Sequence, residues 1–370
     1  MEKINNKINN GQKNKKILLG MSGGVDSSVS AILLKEQGYD VVGVTMKLWH
    51  DDRFDECDSG CCSESTAYDA KRVCDKLGIS HFVFDFEKEF KDKVIDNFIS
   101  EYKNAKTPNP CIECNKHLKF DVMLKKAREL GIQYIATGHY AKCEYSQKYN
   151  QYVLKKSNSE KKDQSYVLYN IPRNVLPFIK FPLGSFNDKS EIRKIASDYN
   201  LNVASKPDSQ EICFIPDNNH IRFLDENIKE NLSGNIIDTD GNILGKHKSF
   251  THYTIGQRRG LGISSDAPLY VTALNKDTHD VIVGKKESLF KREIFANKLN
   301  FMLFDKLEDE IKVKAKIRYK SNMASAIIIP CEVEDMVKVV FDEPQRAVTP
   351  GQSVVFYTED NIVIGGGKIM

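Results

Sequence analysis

The sequence predicts an α/β chain: a doubly wound parallel sheet, then a small mixed central domain, then a C-terminal β-barrel. Three observations carry this. Over roughly residues 15–205, short β-branched runs alternate with segments whose apolar residues recur at helical spacing, the pattern of βαβ units. The first run leads into a Gly- and Ser-rich loop that opens the first helix, a natural anion cradle. From about Ser209 the texture changes to short apolar runs, several parted by Gly and Pro, which points to an all-β fold at the end of the chain. The expected domains are 15–208, 209–286 and 287–370, after a polar, disordered tail at 1–14.

In chain order, Ile17-Leu18-Leu19 reads as a short buried strand. Val29, Ile32 and Leu33 give a helix to about Gln37, and Gly38 stops it. Asp40–Met46 is a second strand. Ala67, Ala70, Val73 and Leu77 share one helical face, and a strand at His81–Phe84 follows. Phe120, Met123, Leu124, Ala127 and Leu130 mark another helix, closed by Gly131. Ile132–Thr137 is a further strand that runs into Gly138-His139-Tyr140. Ligands of such sheets sit at the carboxyl ends of the strands, where both the loop and Met46 fall. Further on, Asp240-Gly241 is a turn between apolar pieces, and Leu269–Val283 alternates like strands. Ile311–Ile317, Ala326–Ile329, Val337–Phe341 and Val354–Phe356 supply the barrel.

A chain of 370 residues has ample length for several cores. Its net charge of +3 neither demands nor excludes nucleic acid, so the distribution of charge decides. Nine cysteines, an odd number, suit reactive or metal-binding thiols better than a disulfide framework. No 18-residue apolar run exists, and the Asn- and Lys-rich start lacks an apolar h-region. A soluble cytoplasmic protein without a membrane span or signal peptide is expected.

Three motifs carry chemistry. In Gly20-Met21-Ser22-Gly23-Gly24-Val25-Asp26-Ser27-Ser28 the glycines let the backbone approach a ligand, and the hydroxyls and helix N–H groups face phosphate. No Gly-Lys-Ser/Thr follows, so this is not a Walker A loop; the plainer reading is a turn capped by Asp26. In Thr107-Pro108-Asn109-Pro110-Cys111-Ile112-Glu113-Cys114, Cys114 is expected at or next to a helix N-terminus, which favours thiolate. A Cys-x-x-Cys in that place also suits a metal half-site. Cys213, between Ile212 and Phe214, would alone read as a core thiol, but a polar loop, Ser205–Glu211, precedes it. Cys57, Cys61, Cys62 and Cys74 form a second group, with the adjacent pair poorly spaced for a metal. Lys312, Lys314, Lys316, Arg318 and Lys320 alternate and would share one strand face, either as phosphate contacts or as a solvated edge.

Ser-Gly-Gly-Val-Asp-Ser after a strand resembles the PP-loop of the ATP pyrophosphatases, which split ATP between its α and β phosphates. Over nearly its whole length the chain resembles the tRNA-specific 2-thiouridylase family of PP-loop enzymes. The matching stretches include Thr-Pro-Asn-Pro at 107–110, Cys-Asn-Lys at 114–116 and Thr-Gly-His-Tyr at 137–140. Lys-Asp-Gln-Ser-Tyr at 162–166, Ile-Cys-Phe at 212–214, Tyr-Thr-Ile-Gly-Gln-Arg at 253–258 and Thr-Pro-Gly-Gln at 349–352 continue the match.

The resemblance implies that Gly20, Met21, Ser22, Gly23, Gly24, Val25, Asp26 and Ser27 bind ATP, with Met46 and Gly138 around the nucleotide and Mg²⁺ on the phosphates. ATP would adenylate the C2 oxygen of the wobble uridine of tRNA. A persulfide on Cys213 would then deliver sulfur, and Cys114 would release it through a Cys114–Cys213 disulfide. Asn109, Pro110 and Cys111 would line the target base. His139, Lys162, Asp163, Gln164, Arg318, Tyr319 and Gln352 would touch the tRNA at its anticodon stem-loop. A cysteine desulfurase or sulfur-relay protein would supply the sulfur.

One position departs: Asp is usual at 111, and this chain has Cys. That leaves open a second route, a 4Fe–4S cluster held by Cys111, Cys114 and Cys213. Two rival readings are another PP-loop ligase, which would not need Cys114 and Cys213, and a non-catalytic RNA-binding sulfur carrier.

Overall fold

The computed structural model describes residues 15–49, 64–207 and 212–370. The 1–14 tail, Cys57, Cys61, Cys62 and most of the loop before Cys213 lie outside the described residues. The chain divides into two compact units, one of residues 1–93 and 113–218, the other of residues 94–112 and 219–370.

The first unit opens as the sequence predicts: β1 (Lys16–Gly20), α1 (Val25–Glu36), β2 (Asp40–Lys47), α2 (Glu64–Leu77) and β3 (Ser80–Asp85). Next come α3 (Glu87–Phe90) and, beyond a π-helical turn, α4 (Asp96–Lys103), which belongs with the other unit. α5 (Pro110–Cys114) runs through a π-helical stretch at Asn115–Val122 into α6 (Met123–Glu129). The unit is completed by β4 (Tyr134–Ala136), the hairpin β5 (Ala141–Ser146) and β6 (Gln151–Lys156), β7 (Ile179–Lys180) and α7 (Lys189–Asp198). Its sheet has the order β3-β2-β1-β4-β7 with every pair parallel.

The strand order reverses at β1. The crevice beyond the carboxyl ends of β1 and β4 is therefore the topological switch point, where such sheets hold ligands. Ile17, Leu18 and Leu19 are fully buried, as expected for a central strand covered on both faces. One of those faces packs Ile17 and Leu19 against Val29 and Ile32 of α1, Val73 and Cys74 of α2, and Ile192 and Ala196 of α7. Each such side chain contributes roughly 1.5–3 kcal/mol by leaving water.

The second unit continues with α8 (His220–Asn227), β8 (Gly234–Ile237), β9 (Ile243–His247), β10 (Tyr270–Leu274) and β11 (Val281–Gly284). These strands form a sheet of order β10-β11-β8-β9, with the expected turn at Asp240-Gly241 between β8 and β9. Then β12 (Phe290–Phe301), β13 (Ile311–Lys316), β14 (Ala324–Pro330), β15 (Met336–Arg346), β16 (Ser353–Tyr357) and β17 (Val363–Ile369) close into an antiparallel barrel. Val313, Ala315, Ile328, Val339 and Phe356 fill its interior.

Two expectations need correction. The basic alternation outruns the strand. Lys312, Lys314 and Lys316 do share the outer face of β13, opposite the buried Val313 and Ala315. Arg318 and Lys320 lie beyond the strand end, in a turn held by Arg318 N–H to Ser321 Oγ at 3.2 Å and Ser321 Oγ to Arg318 O at 3.0 Å. The cysteine helix also begins a turn earlier than expected. Pro110 is its first residue, as suits a ring with fixed φ and no N–H. The first turn therefore carries Cys111, while Cys114 ends α5 and the helical path continues beyond it.

Candidate active site

The Gly-Ser loop is held at its start, on both sides of Met21. Met21 N–H donates to Val44 O at 2.7 Å, and Thr45 Oγ1 donates to Met21 O at 2.9 Å. Gly23 turns with φ 65°, and a Cβ there would lie 2.4 Å from Thr66 O. Only glycine fits, because of both the left-handed backbone and the close approach. Gly24 is the extended N-cap of α1 and supplies no side-chain cap. The hydroxyls instead brace the loop: Ser27 Oγ accepts from Ser22 N at 3.2 Å and donates to Gly24 O at 3.1 Å, and Ser28 Oγ donates to Gly24 O at 2.8 Å. The first-turn N–H groups of α1 are left for an anion. Val25 is buried in the core and offers only its backbone.

Around this loop lies a cleft of about 190 Å³. It is lined by seven residues the sequence assigned to ATP: Gly20, Met21, Ser22, Asp26, Ser27, Met46 and Gly138. A Cβ at Gly138 would come within 2.9 Å of Ser27 N, so its backbone lies against the start of α1. His139 and Gln164, expected at the tRNA, line the same cleft. His139 is buried, with Thr137 Oγ1 at 2.6 Å from Nδ1. Burial and then the nearby Lys119 hold its imidazole well below the usual 6.5, so it is neutral. Gln164 clamps Tyr140 from both sides, its N–H on Tyr140 O at 2.8 Å and its Oε1 accepting Tyr140 N–H at 2.9 Å. Asp163 is buried and accepts from Ser157 N at 2.9 Å and Ser165 Oγ at 2.7 Å. It holds the loop on which Lys162 and Gln164 stand.

Sequence reasoning missed four residues here. Leu48 and Lys119 line the cleft. Lys189, the first residue of α7, puts its ammonium 2.6 Å from each carboxylate oxygen of Asp26. Tyr140 donates its hydroxyl to Asp26 Oδ1 at 2.7 Å, and Lys189 Nζ lies 5.8 Å from the centre of its ring. No sequence spacing signals this partnership.

Of the thiols, Cys114 is buried and Cys213 half-buried, both in the first unit, and Cys111 is exposed. Cys213 is placed by Phe214, whose ring packs edge-on against Phe90 with centroids 5.7 Å apart. Cys74 is wholly buried in the core and its thiol is pushed up to about 12 by burial, so it is a packing residue. Among the described residues no three His, Cys, Asp or Glu side chains are gathered to hold a metal.

In the second unit, Asn109 Oδ1 accepts from Cys111 N–H at 3.1 Å and fixes the start of α5. Gln352 donates to Thr107 O at 2.7 Å, and Thr107 N–H to Pro350 O at 2.9 Å. Gln352 thus anchors the segment that leads to Asn109 and Pro110. Arg318 and Tyr319 stand at the barrel's basic turn.

The family model described as the tRNA methyl transferase HUP domain matches residues 15–217. Those of the tRNA methyl transferase PRC-barrel domain and the aminomethyltransferase beta-barrel domain match 221–285 and 291–369. The chain is 54% identical over 357 residues to the tRNA-specific 2-thiouridylase MnmA of Clostridium beijerinckii, covering 96% of this chain and 98% of that one. To the protein of the same name from Clostridioides difficile it is 52% identical over 357 residues, again 96% and 98% of the two chains.

The chain belongs to the tRNA-specific 2-thiouridylase family.

The family's three matched domains account for the parallel-sheet layer, the middle domain and the closed barrel. A solved 4-thiouridine synthetase–RNA complex with bound ATP is also similar, at 18% identity and a TM-score of 0.35, over 57% of this chain and 50% of that one. Among the described residues no helix is long and apolar enough to cross a membrane.

Proposed function

We propose that this protein is an ATP-dependent tRNA sulfurtransferase of the cytoplasm that exchanges the C2 oxygen of the wobble uridine for sulfur. The observation that carries the reading is the glycine-turned loop at the sheet's switch point, on a chain that matches named 2-thiouridylases end to end. The first-turn N–H groups of α1 and the Ser22 hydroxyl receive the phosphates, on a loop that Ser27 braces. Mg²⁺, when bound, would neutralise charge on the phosphates themselves; Asp26, the carboxylate lining the cleft, already has both oxygens on Lys189. Met46, Leu48 and Gly138 offer the walls for the nucleoside.

The uridine oxygen attacks the α phosphorus, the α–β bond breaks and pyrophosphate leaves. The C2 oxygen, a poor leaving group, has become part of AMP. The terminal sulfur of a Cys213 persulfide adds to C2 and AMP departs. Cys114 thiolate then attacks Cys213 Sγ, so that a Cys114–Cys213 disulfide forms and the new sulfur stays on the base. An external thiol reduces the disulfide, and a cysteine desulfurase or relay protein reloads Cys213. Asn109, Pro110 and Cys111 form the base-facing segment, and Lys162, Arg318 and Tyr319 contact tRNA. The persulfide route is preferred to a 4Fe–4S cluster because it needs only Cys114 and Cys213, where the resemblance to the family is strongest.

The family-model descriptions speak of methyl transfer, so the test must tell the two outcomes apart. Unmodified tRNA, ATP and a persulfide donor are incubated with the protein. The expected products are AMP, pyrophosphate and tRNA heavier by the exchange of oxygen for sulfur. ADP in place of AMP, or a methyl gain that needs no ATP, would overturn the reading. Cys114→Ser and Cys213→Ser should each abolish sulfur incorporation.

A further inference from the structure

Among the described residues that line the cleft, only Asp26 and Lys119 carry charge. His139, the other titratable group there, is neutral. Asp26 is matched by Lys189, whose ammonium lies 2.6 Å from both its oxygens. The positive charge of Lys119 is therefore not what balances the cleft's own carboxylate. It acts on the same space as His139: burial first, and then the Lys119 charge, holds that imidazole neutral.

Local structure fixes Lys119 in this place. It stands in the π-helical stretch Asn115–Val122, where the helix widens between α5 and α6. Leu118 and Phe120 on either side of it are fully buried. The Phe120 ring packs against Phe181 and His139, with centroids 5.8 and 6.0 Å apart. Asn115 Nδ2 donates to Val167 O at 2.9 Å and ties down the start of the stretch. At its end Met123 N–H donates to Leu118 O, five residues back.

The widened helix also turns Lys119 toward the thiol. Cys114 is the N-cap of the stretch, and Lys119 follows five residues later. In an α-helix two such side chains point about 140° apart. The five-residue repeat of a π-helix turns them toward one face, and such stretches recur at functional sites. The lysine of the nucleotide cleft and the Cys114 thiol thus share one turn of helix.

We propose that Lys119 is a catalytic residue of the adenylation step, its ammonium meeting the α phosphate of ATP. The inference rests on the thiolation reading above and adds a residue to it. The uridine C2 oxygen bonds to the α phosphorus as the α–β bond breaks. The electron pair of that bond leaves with pyrophosphate, and the N3 proton of the base is released to solvent. Negative charge gathers on the α-phosphoryl oxygens between these events. An ammonium fixed beside them stabilises that state more than it stabilises bound ATP. It acts again when AMP departs from C2 with the electron pair of the C–O bond. The outer phosphates have the N–H groups of α1; the α phosphate, where the base attacks, has Lys119.

The test is a single-turnover assay of AMP formation from ATP and unmodified tRNA, run beside a nucleotide titration. Lys119→Met should slow tRNA-dependent AMP formation about 100-fold. Its ATP affinity should stay close to that of the parent, which also shows that the cleft is folded. Lys119→Arg, which keeps the charge, should be clearly faster than the Met variant. ATP with one non-bridging α oxygen replaced by sulfur, used as separate Rp and Sp forms, locates the contact. The parent should favour one form, and Lys119→Met should narrow that preference. A Met variant that makes AMP at the parent's rate would overturn the proposal, and so would a loss carried wholly by weaker ATP binding. An unchanged preference between the two forms would also overturn it, because Lys119 would then not touch the α phosphate. If the parent protein makes no AMP with tRNA, the functional reading falls first and the role of Lys119 with it.

Discussion

Lys189 and Asp26 meet across 163 residues of sequence, the ammonium 2.6 Å from both carboxylate oxygens. Asp26 stands in the first turn of α1, where a negative charge favours the helix. The same N–H groups are the ones a polyphosphate needs, and a bare carboxylate beside them repels it. Lys189 cancels that charge, and Tyr140 fixes its direction. Lys189→Met should therefore weaken ATP binding about tenfold, which corresponds to ~1.4 kcal/mol. Adding Asp26→Asn to that variant should recover most of the loss in a nucleotide titration. A double variant that binds no better than the single one would show that Lys189 acts in some other way.

The two loop glycines should behave differently. Gly23→Ala places a methyl 2.4 Å from the Thr66 carbonyl in a left-handed backbone, so the loop or α2 must move. At Gly24 the backbone is extended, and the nearest atom, Ser22 Oγ, is 3.5 Å away. Thermal unfolding should show Gly23→Ala destabilised by more than about 2 kcal/mol, and Gly24→Ala by about 1 kcal/mol or less. Equal melting temperatures would contradict the close approach of Thr66.

Stability should fall on mild acidification. His139 is held neutral in the fold by burial and Lys119, while an unfolded histidine titrates near 6.5. Below that pH the unfolded chain binds more protons, so stability is lost until the lowered native value is passed. His81, His220 and His247 are shifted the same way, chiefly by burial. Denaturation of His139→Gln across pH 5–7 should show a shallower acid limb, by up to about 1.4 kcal/mol per pH unit. A slope unchanged by the substitution would mean that His139 protonates in the native state.

Thiol chemistry should rank the cysteines. Burial pushes Cys74 and Cys143 up to about 12, so they carry almost no thiolate at neutral pH. Brief alkylation of native protein followed by peptide mass mapping should label the exposed Cys111 before either of them. Labelling of Cys74 or Cys143 at the rate of Cys111 would contradict their burial.

The loop, the parallel-sheet layer and the barrel were legible because each leaves a local trace: glycines where φ is positive, apolar runs where both faces are buried, alternation where one is. The residues that line the cleft followed from one contiguous string, with Met46 and Gly138 added by the resemblance. Lys189 was not legible, since its neighbours announce only a helix start: Asp188 caps Ser190 N–H and Glu191 bonds back. The five alternating cations misled because a period of two does not say where a strand stops; the Ser321 hydroxyl ends it. Pro110 could have marked the true start of the cysteine helix, since its fixed φ and missing N–H suit a first helical position.

The place of residues 94–112 in the second unit bears on how the enzyme is made. Thr107 is held by Gln352, 245 residues later, and Gly351, at φ 88°, leaves no room for a Cβ beside Thr107 N. While the chain is still on the ribosome, the strands around the nucleotide loop already have their partners. The turn before Asn109 must wait until Gly351 and Gln352 have emerged. A product that stops short of Gly351 would thus keep the cleft beside the Gly-Ser loop but never set the segment proposed to face the target base. Emergence of the turn of Gly351 and Gln352, not of the sheet, is therefore what fixes that segment.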